Sequence, residues 1–353
     1  ARIDDLAAET RFRPVRGSGE VRAVSGGWAG DLTVTDLAGR KLTQADLRHG
    51  ADGRGRLAFD TGMLTFEEGG LQPVNLSPLA AIVASPATGR ARFDGQIGWG
   101  PGTSTSSGTL TVERMDFVSP MGPVVGLTGQ VAFTSLIPPI AAPGQSLRAE
   151  AVNTLVPLTD VDIRFGLEGE GLSVEGAQLA VGGGALAFEP FTVPFKPGAS
   201  WKGVLNFQGV QVKELVEASP FGDRVDLDAR LTGRVPFEVT PQGVRVAGGT
   251  LAAIQPGRLS ILREALTTVG AEGGAVTAAG PVPAEVAPEA TNAFTEFAYQ
   301  AMEDLAFDQL DAEVNSLDNG RLGVLLHIKG EHQPPQKQEI RLTIMDLIRR
   351  DFM

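Results

Sequence analysis

The chain has 353 residues, of which 42% are hydrophobic, and this fraction is enough for a sizeable core and excludes a disordered tail. The net charge of −12 argues against nucleic acid or an anionic bilayer surface as a partner, because phosphate groups call for clustered lysine and arginine. The chain has no cysteine, which excludes disulfides, thiolate chemistry and cysteine-containing zinc sites.

Alternating apolar and polar residues run through the first 256 residues. The clearest stretch is 227–239, LDARLTGRVPFEV, in which the odd positions are apolar or glycine and the even positions are mostly polar. This period of two is typical of a strand with one dry and one wet face. Similar strands are predicted at 57–59, 110–113, 161–169, 204–212 and 244–254, and glycine- and proline-rich turns separate them. The pattern predicts a long antiparallel meander.

One sequence unit occurs three times, at 75–99, 112–133 and 210–237. Each copy has a short hydrophobic turn, then Ser-Pro, then a strand with a central glycine. The pairs are Ser85-Pro86, Ser119-Pro120 and Ser219-Pro220, and the glycines are Gly95, Gly129 and Gly233. Strand phase puts one apolar set around each glycine: Phe93, Ile97 and Trp99, then Leu127, Val131 and Phe133, then Leu231, Val235 and Phe237.

The pattern changes after residue 256, which predicts a repetitive β segment at 1–256 and a different C-terminal segment at 257–353. Helical spacing predicts one helix at 260–270, with Ser260 as N-cap and Gly270 as stop, and a second at 288–306. A hairpin follows, with Leu310, Ala312 and Val314 before an Asn319-Gly320 turn, and the last strand is 338–345. The apolar positions of the second hairpin strand and the last strand are Leu322, Val324, Leu326, Ile328, Ile340, Leu342 and Ile344.

No catalytic or metal-binding pattern is present in the sequence. None of the three histidines pairs with another at metal-ligand spacing, and no nucleophile elbow, phosphate loop or zinc-protease motif occurs. The acidic clusters fit a solvated face better than a calcium loop. We therefore predict no enzyme activity, no metal and no cofactor.

The apolar strand faces leave two interpretations open. The two predicted helices are too short to cover a meander of about 250 residues. Either the sheet folds onto itself and seals its interior, or its concave face stays accessible to an apolar ligand.

The C-terminal part resembles a known family. Residues 292–335 followed by 340–348 are similar to the C-terminal region of YdbH-type proteins of the AsmA-like group, with Phe294, Phe297 and Tyr299 as an aromatic triplet. The matching hairpin and upstream positions are Gly320, Arg321, Leu322, Leu326 and Gly330, then Leu231, Gly233, Pro236, Phe237, Gly243, Gly248, Gly249, Pro256, Gly257 and Arg258. The resemblance covers 200–353, and the earlier repeats share only its general residue pattern.

The resemblance implies a mostly β fold: an elongated, curved antiparallel sheet that forms a U-shaped open groove, with a few short helices near the C-terminus. It implies a protein anchored in the inner membrane by a segment before Ala1, crossing the periplasm of Gram-negative bacteria and carrying phospholipids to the outer membrane. It also implies a small outer-membrane lipoprotein partner (YnbE-like), added as a strand at the edge formed by Ile340, Leu342 and Ile344; the alternative is that this strand pairs inside the chain.

The predicted lipid-contact residues are apolar positions on the predicted strands. It comprises Phe93, Ile97, Trp99, Leu127, Val131, Phe133, Val161, Ile163, Phe165, Leu231, Val235, Phe237, Leu322, Val324, Leu326 and Ile328. The competing hypotheses are a structural stalk or adhesin with a closed core, and an outer-membrane barrel. One tyrosine and three tryptophans cannot supply the two aromatic girdles of such a barrel.

Overall fold

The structure is a computed structural model that describes residues 1–5, 10–78, 80, 83–119, 122–219, 222–262, 276–278, 302–317, 322–332 and 339–344. These residues form 23 β-strands and two short α-helices, and the strand pairs are antiparallel. The predicted mostly β, antiparallel fold is therefore confirmed. The chain divides into two compact units, unit 1 (Ala1–Glu175) and unit 2 (Gly176–Met353).

Unit 1 is an antiparallel meander in which each strand pairs with the next along the chain, from β1 to β10. Helix α1 (Pro73–Leu76) lies in the connection between β5 and β6. The strands are β1 (Arg2–Ile3), β2 (Val15–Val24), β3 (Gly27–Thr35), β4 (Lys41–Gly50), β5 (Gly55–Phe66), β6 (Ala84–Gly100), β7 (Thr103–Ser119), β8 (Gly122–Leu136), β9 (Pro139–Asn153) and β10 (Pro157–Glu168).

Unit 2 contains shorter strands in a less regular order. Strand β14 pairs with β12 and β16, β18 pairs with β16 and β21, and β22 lies between β21 and β23. The elements are β11 (Gly171–Val181), which spans the division, β12 (Gly184–Phe188), β13 (Phe191–Pro194), β14 (Trp201–Gln211), α2 (Lys213–Glu217), β15 (Val225–Asp228), β16 (Arg230–Thr240), β17 (Gly243–Val246), β18 (Gly249–Ala253), β19 (Gly257–Ile261), β20 (Val276–Ala278), β21 (Leu305–Ser316), β22 (Leu322–His332) and β23 (Glu339–Ile344).

The predicted helix starting at Ser260 is wrong at its N-terminus, because Ser260 and Ile261 belong to β19. Leu259 and Ile261 are buried while Leu262 is exposed, a burial pattern that belongs to a strand and not to the predicted apolar helical stripe. Residues 263–270 of that helix lie outside the described residues. The predicted helix at 288–306 is wrong at its C-terminus, because Leu305 begins β21 and is buried there; residues 288–301 lie outside the description.

The predicted hairpin is confirmed. Leu310, Ala312 and Val314 of β21 pair directly with Ile328, Leu326 and Val324 of β22. Its turn, Asn319-Gly320, lies outside the described residues. The division of the chain into 1–256 and 257–353 stays a prediction. Strand β19, which begins at Gly257, pairs with β15 on one side and with β21 on the other.

The three repeated units differ in their first part. Helices α1 and α2 precede the first and third Ser-Pro pairs, as the predicted hydrophobic turns require. In the second unit the predicted turn is wrong, because residues 112–119 continue β7. Pairing of β7 with β8 extends as far as Ser119 and Gly122, so the segment before the Ser-Pro pair is strand to its end. The central glycines all lie within strands, as predicted.

Candidate functional site

The strand register of unit 1 produces a continuous apolar row. Directly paired residues cross nine strands, β2 to β10, and every one of them is apolar or glycine: Gly19, Leu32, Ala45, Phe59, Gly95, Gly108, Phe133, Ala141 and Leu167. Neighbouring strands lie about 4.8 Å apart, so nine strands carry this row over roughly 38 Å. A row perpendicular to the strands joins residues that are far apart in sequence.

Unit 2 contains a second row of the same kind. It crosses seven strands from β11 to β22 and has only apolar residues and glycine: Leu179, Leu186, Phe207, Gly233, Leu251, Ala312 and Leu326. The backbone register continues from Leu326 to Ile344 in β23. We call these two sets the central rows.

Further apolar rows flank the central row of unit 1, and β-bulges keep them on the same face. Phe59 and Leu64 have opposite parity in β5, so strict alternation would place them on opposite faces. The register shifts between Asp60 and Met63, where Gly62 has a φ of +61°, and Leu64 then pairs with Ala91. A flanking row continues through Leu64, Ala91, Val112, Gly129, Leu147 and Ile163.

The opposite face of each sheet carries ion pairs between strands. In unit 1, Asp60 accepts bonds from Arg92 at 3.0 and 2.5 Å. Hydrogen bonds from the Gly62 N–H and from Arg92 hold the pKa of Asp60 below its ordinary value. In unit 2, Glu189 accepts two bonds from Arg234, at 2.8 and 3.0 Å, and these lower its pKa. Each unit therefore has one wet face and one dry face.

One rim of the dry face of unit 1 is covered by the chain itself. The connection between β5 and β6 packs Leu71, Leu76 and Val83 against Phe66 and Met115. Gln72 holds this connection in place: its Oε1 accepts from the Ala87 N–H at 2.7 Å, and its Nε2 donates to the Ala87 carbonyl at 3.0 Å. Both residues are buried, so this contact satisfies backbone groups that water cannot reach.

The predicted lipid-contact residues fall into two groups by exposure. Those buried among neighbours are Val131, Phe165, Leu231, Leu326 and Ile328. Those partly exposed on their strands are Phe93, Ile97, Trp99, Leu127, Phe133, Val161, Ile163, Val235, Phe237 and Val324. The side chains of Leu322, Ile340, Leu342 and Ile344 lie outside the description. The half-buried state of so many large apolar side chains leaves the dry face partly open to solvent.

Each unit also has aromatic side chains on its dry face that the strand pattern did not single out. In unit 1, Phe59 packs on Phe93 at 5.7 Å between ring centroids, and Phe93 packs on Phe133 at 6.3 Å. In unit 2, Trp201 stacks on Phe191 at 5.1 Å and meets Phe237 at 5.6 Å. Phe59 could have been found from the alternation of 57–59, whereas Pro190 interrupts the pattern between Phe188 and Phe191.

Several of these rings lie over a glycine of the neighbouring strand. A Cβ at Gly95 would lie 2.9 Å from Phe59 Cζ, and a Cβ at Gly108 would lie 2.9 Å from Phe93 Cζ. In unit 2, a Cβ at Gly203 would lie 2.6 Å from Phe237 Cζ. The glycines therefore make room for rings that lie along the sheet, which keeps the dry face shallow and continuous.

One known protein family matches most of the chain. The sequence model of one family, YdbH-like, described as "Intermembrane phospholipid transport protein YdbH", matches residues 3–279. The chain belongs to the YdbH-like family. Searches of curated proteins and of solved structures found no significant match.

The matched region of this YdbH-like chain differs from the region that carried the resemblance. The resemblance depended on 200–353, whereas the family match includes the repeats of unit 1 and stops at residue 279. The family itself is one of lipid transport. Among the described residues, no helix is long and apolar enough to cross a membrane, and no group of three or more acidic or histidine residues is placed to hold a metal ion.

Proposed function

We propose that this YdbH-like chain carries phospholipids between the inner and the outer membrane along the dry faces of its sheets, as a bridge across the periplasm. The observation that carries the proposal is the pair of central rows, because each row is an unbroken apolar track across many strands. Burial stabilises hydrocarbon by about 0.8 kcal/mol per CH₂, so exposing one sixteen-carbon acyl chain costs on the order of 12 kcal/mol. A route through water therefore needs a track and not a single pocket.

The partial exposure of the dry face supports an open track over a sealed interior. In a closed core, residues such as Phe59, Phe133 and Val235 would be buried on all sides by an opposing layer. They are half-buried, while the backbone of their strands is paired on both sides. The charged residues of the other face keep such a sheet soluble.

Native mass spectrometry tests the proposal on protein purified without detergent. We expect phospholipid to remain bound, because large apolar side chains of the dry faces, such as Phe59, Phe133 and Val235, are only half-buried. A structural stalk or adhesin with a closed core would carry no lipid. Finding lipid-free protein from cells with intact membranes would favour that alternative.

The proposal includes strand addition by a small outer-membrane lipoprotein at the C-terminal end. Strand β23 pairs with β22 along Glu339–Ile344, and β20 covers its other side only opposite 342–344. Opposite 342–344, both sides of β23 have partner strands within the chain. We place the partner strand at the C-terminal end, either beside 339–341 of β23 or on the outer side of β20.

Hydrogen exchange with and without the lipoprotein tests this docking position. A strand added to β23 or β20 would hydrogen-bond their free amides, so we expect slower exchange within 276–278 and 339–344. Exchange within β16, in the middle of unit 2, should stay unchanged. Equal protection of the C-terminal strands in both samples would reject docking there.

A further inference from the structure

A histidine lies between two tryptophans at the open rim of the dry face of unit 1. Trp28 is directly opposite His49 in the register of β3 and β4, and the next paired positions are Gly55 and Trp99. The Trp99 indole stacks on the His49 ring at 6.1 Å, and its Nε1 donates to His49 Nδ1 at 3.3 Å. Gly55 makes this possible, because a Cβ there would overlap the Trp99 indole.

The hydrogen bond from Trp99 determines what His49 offers to a ligand. Because His49 Nδ1 accepts the hydrogen bond from the Trp99 indole N–H, the proton of the neutral imidazole lies on Nε2. That Nε2–H is a donor on a face whose neighbouring rows are apolar. Trp28 is 54% exposed on the other side of His49. Tryptophan rings, which have an apolar body and a polar N–H, are enriched at the boundary between hydrocarbon and polar groups. Here two such rings lie on either side of the His49 donor.

The dry face between this cluster and the opposite rim is long enough to hold an acyl chain. His49 and Trp99 are next to last in β4 and β6, and Trp28 is second in β3, so all three lie at one rim. The central row lies four residues further along each strand, about 13 Å away. The opposite rim is closed by Leu71 and its neighbours. One leaflet of a bilayer holds roughly 15 Å of hydrocarbon, which fits between the two rims.

We propose that Trp28, His49 and Trp99 form the site that holds the polar end of a bound phospholipid, with His49 Nε2–H donating to a phosphate or ester oxygen and the acyl chains directed to the central row. This inference depends on the proposed function, and it assigns the lipid an orientation: headgroup at the open rim, chain ends towards the rim closed by the connection between β5 and β6.

Tryptophan fluorescence tests the orientation. The chain has three tryptophans, so a Trp201→Phe variant reports only on Trp28 and Trp99. We expect a phospholipid with a nitroxide on its headgroup to quench this emission at least twofold more than one with the nitroxide at the end of an acyl chain. Equal quenching, or stronger quenching from the chain end, would overturn the assignment.

Variants of His49 test the donor in the same background. Loss of one hydrogen bond weakens binding by roughly 1 kcal/mol, so His49→Phe should weaken binding of a short-chain phosphatidylglycerol about fivefold. His49→Gln keeps a hydrogen-bond donor and should retain most of the affinity. Gly55→Ala, which displaces the indole, should also weaken binding. Inorganic phosphate should leave the emission unchanged; a response to it would identify a free-anion site instead.

The outcomes separate this inference from the proposed function. Phospholipid that remains bound in native mass spectra, with no difference between the two nitroxide positions and no effect of His49→Phe, would reject the rim site alone. Lipid-free protein that responds to neither nitroxide lipid would reject the proposed function itself.

Discussion

Val235→Asp is expected to reduce the phospholipid that co-purifies with the protein by tenfold or more. Val235 is half-buried on the dry face of unit 2 and pairs with Leu205 of β14. A carboxylate at this position would lie against hydrocarbon without a partner, which costs several kcal/mol, and each 1.4 kcal/mol is a factor of ten in occupancy. Lipid bound per protein, measured by native mass spectrometry, and the rate of transfer between vesicles should fall together.

Arg234→Ala is the matched control for this experiment. It changes the net charge by the same amount as Val235→Asp, at the adjacent residue, but on the wet face where Arg234 pairs with Glu189. An exposed ion pair contributes at most about 1 kcal/mol to stability, so lipid binding should be retained. Val235→Thr, which keeps the shape of the side chain, guards against simple misfolding and should bind an intermediate amount. Equal lipid loss in Arg234→Ala and Val235→Asp would defeat the assignment of the two faces.

Gly203→Ala is expected to lower the free energy of unfolding by about 1–3 kcal/mol, the usual cost of overpacking. The three nearest atoms to a Cβ at Gly203 all belong to the ring of Phe237, at 2.6, 3.0 and 3.3 Å. That ring cannot move away freely, because it also packs edge-on against Trp201 and Phe188. Urea denaturation of the purified protein measures the effect.

A control and a double variant identify the cause of that loss. A Cβ at Gly176 would make only an ordinary van der Waals contact, with its nearest neighbour at 3.7 Å, so Gly176→Ala should be neutral or slightly stabilising. Removing the ring in the double variant Gly203→Ala/Phe237→Leu should relieve the clash, so its loss of stability should be smaller than the sum of the two single losses. We expect a coupling free energy of about 1 kcal/mol or more between the two sites. Additive effects of the two substitutions would show that the ring over the glycine is not the source of the strain.

Where apolar and polar residues alternate without a break, the periodicity of the sequence was sufficient to predict the strands and the face of each side chain. Phe93, Ile97 and Trp99 in β6, and Leu231, Val235 and Phe237 in β16, have the predicted phase because successive side chains of a strand point to opposite faces. Around Ser260 and Leu305 the same reading failed. Short apolar runs satisfy helical and strand spacing equally well, and pairing of β19 with β15 and β21 decided for the strand.

The amino-acid sequence by itself determined that this is a β protein with one dry and one wet strand face, because that property is local to each strand. Only the tertiary structure decided which strands lie side by side, and therefore that Phe59, Gly95, Gly108 and Phe133 form one row. The same holds for Trp28, His49 and Trp99, which are far apart in sequence. Register depends on backbone hydrogen bonds and bulges between distant segments, and no pattern within a single strand contains that information.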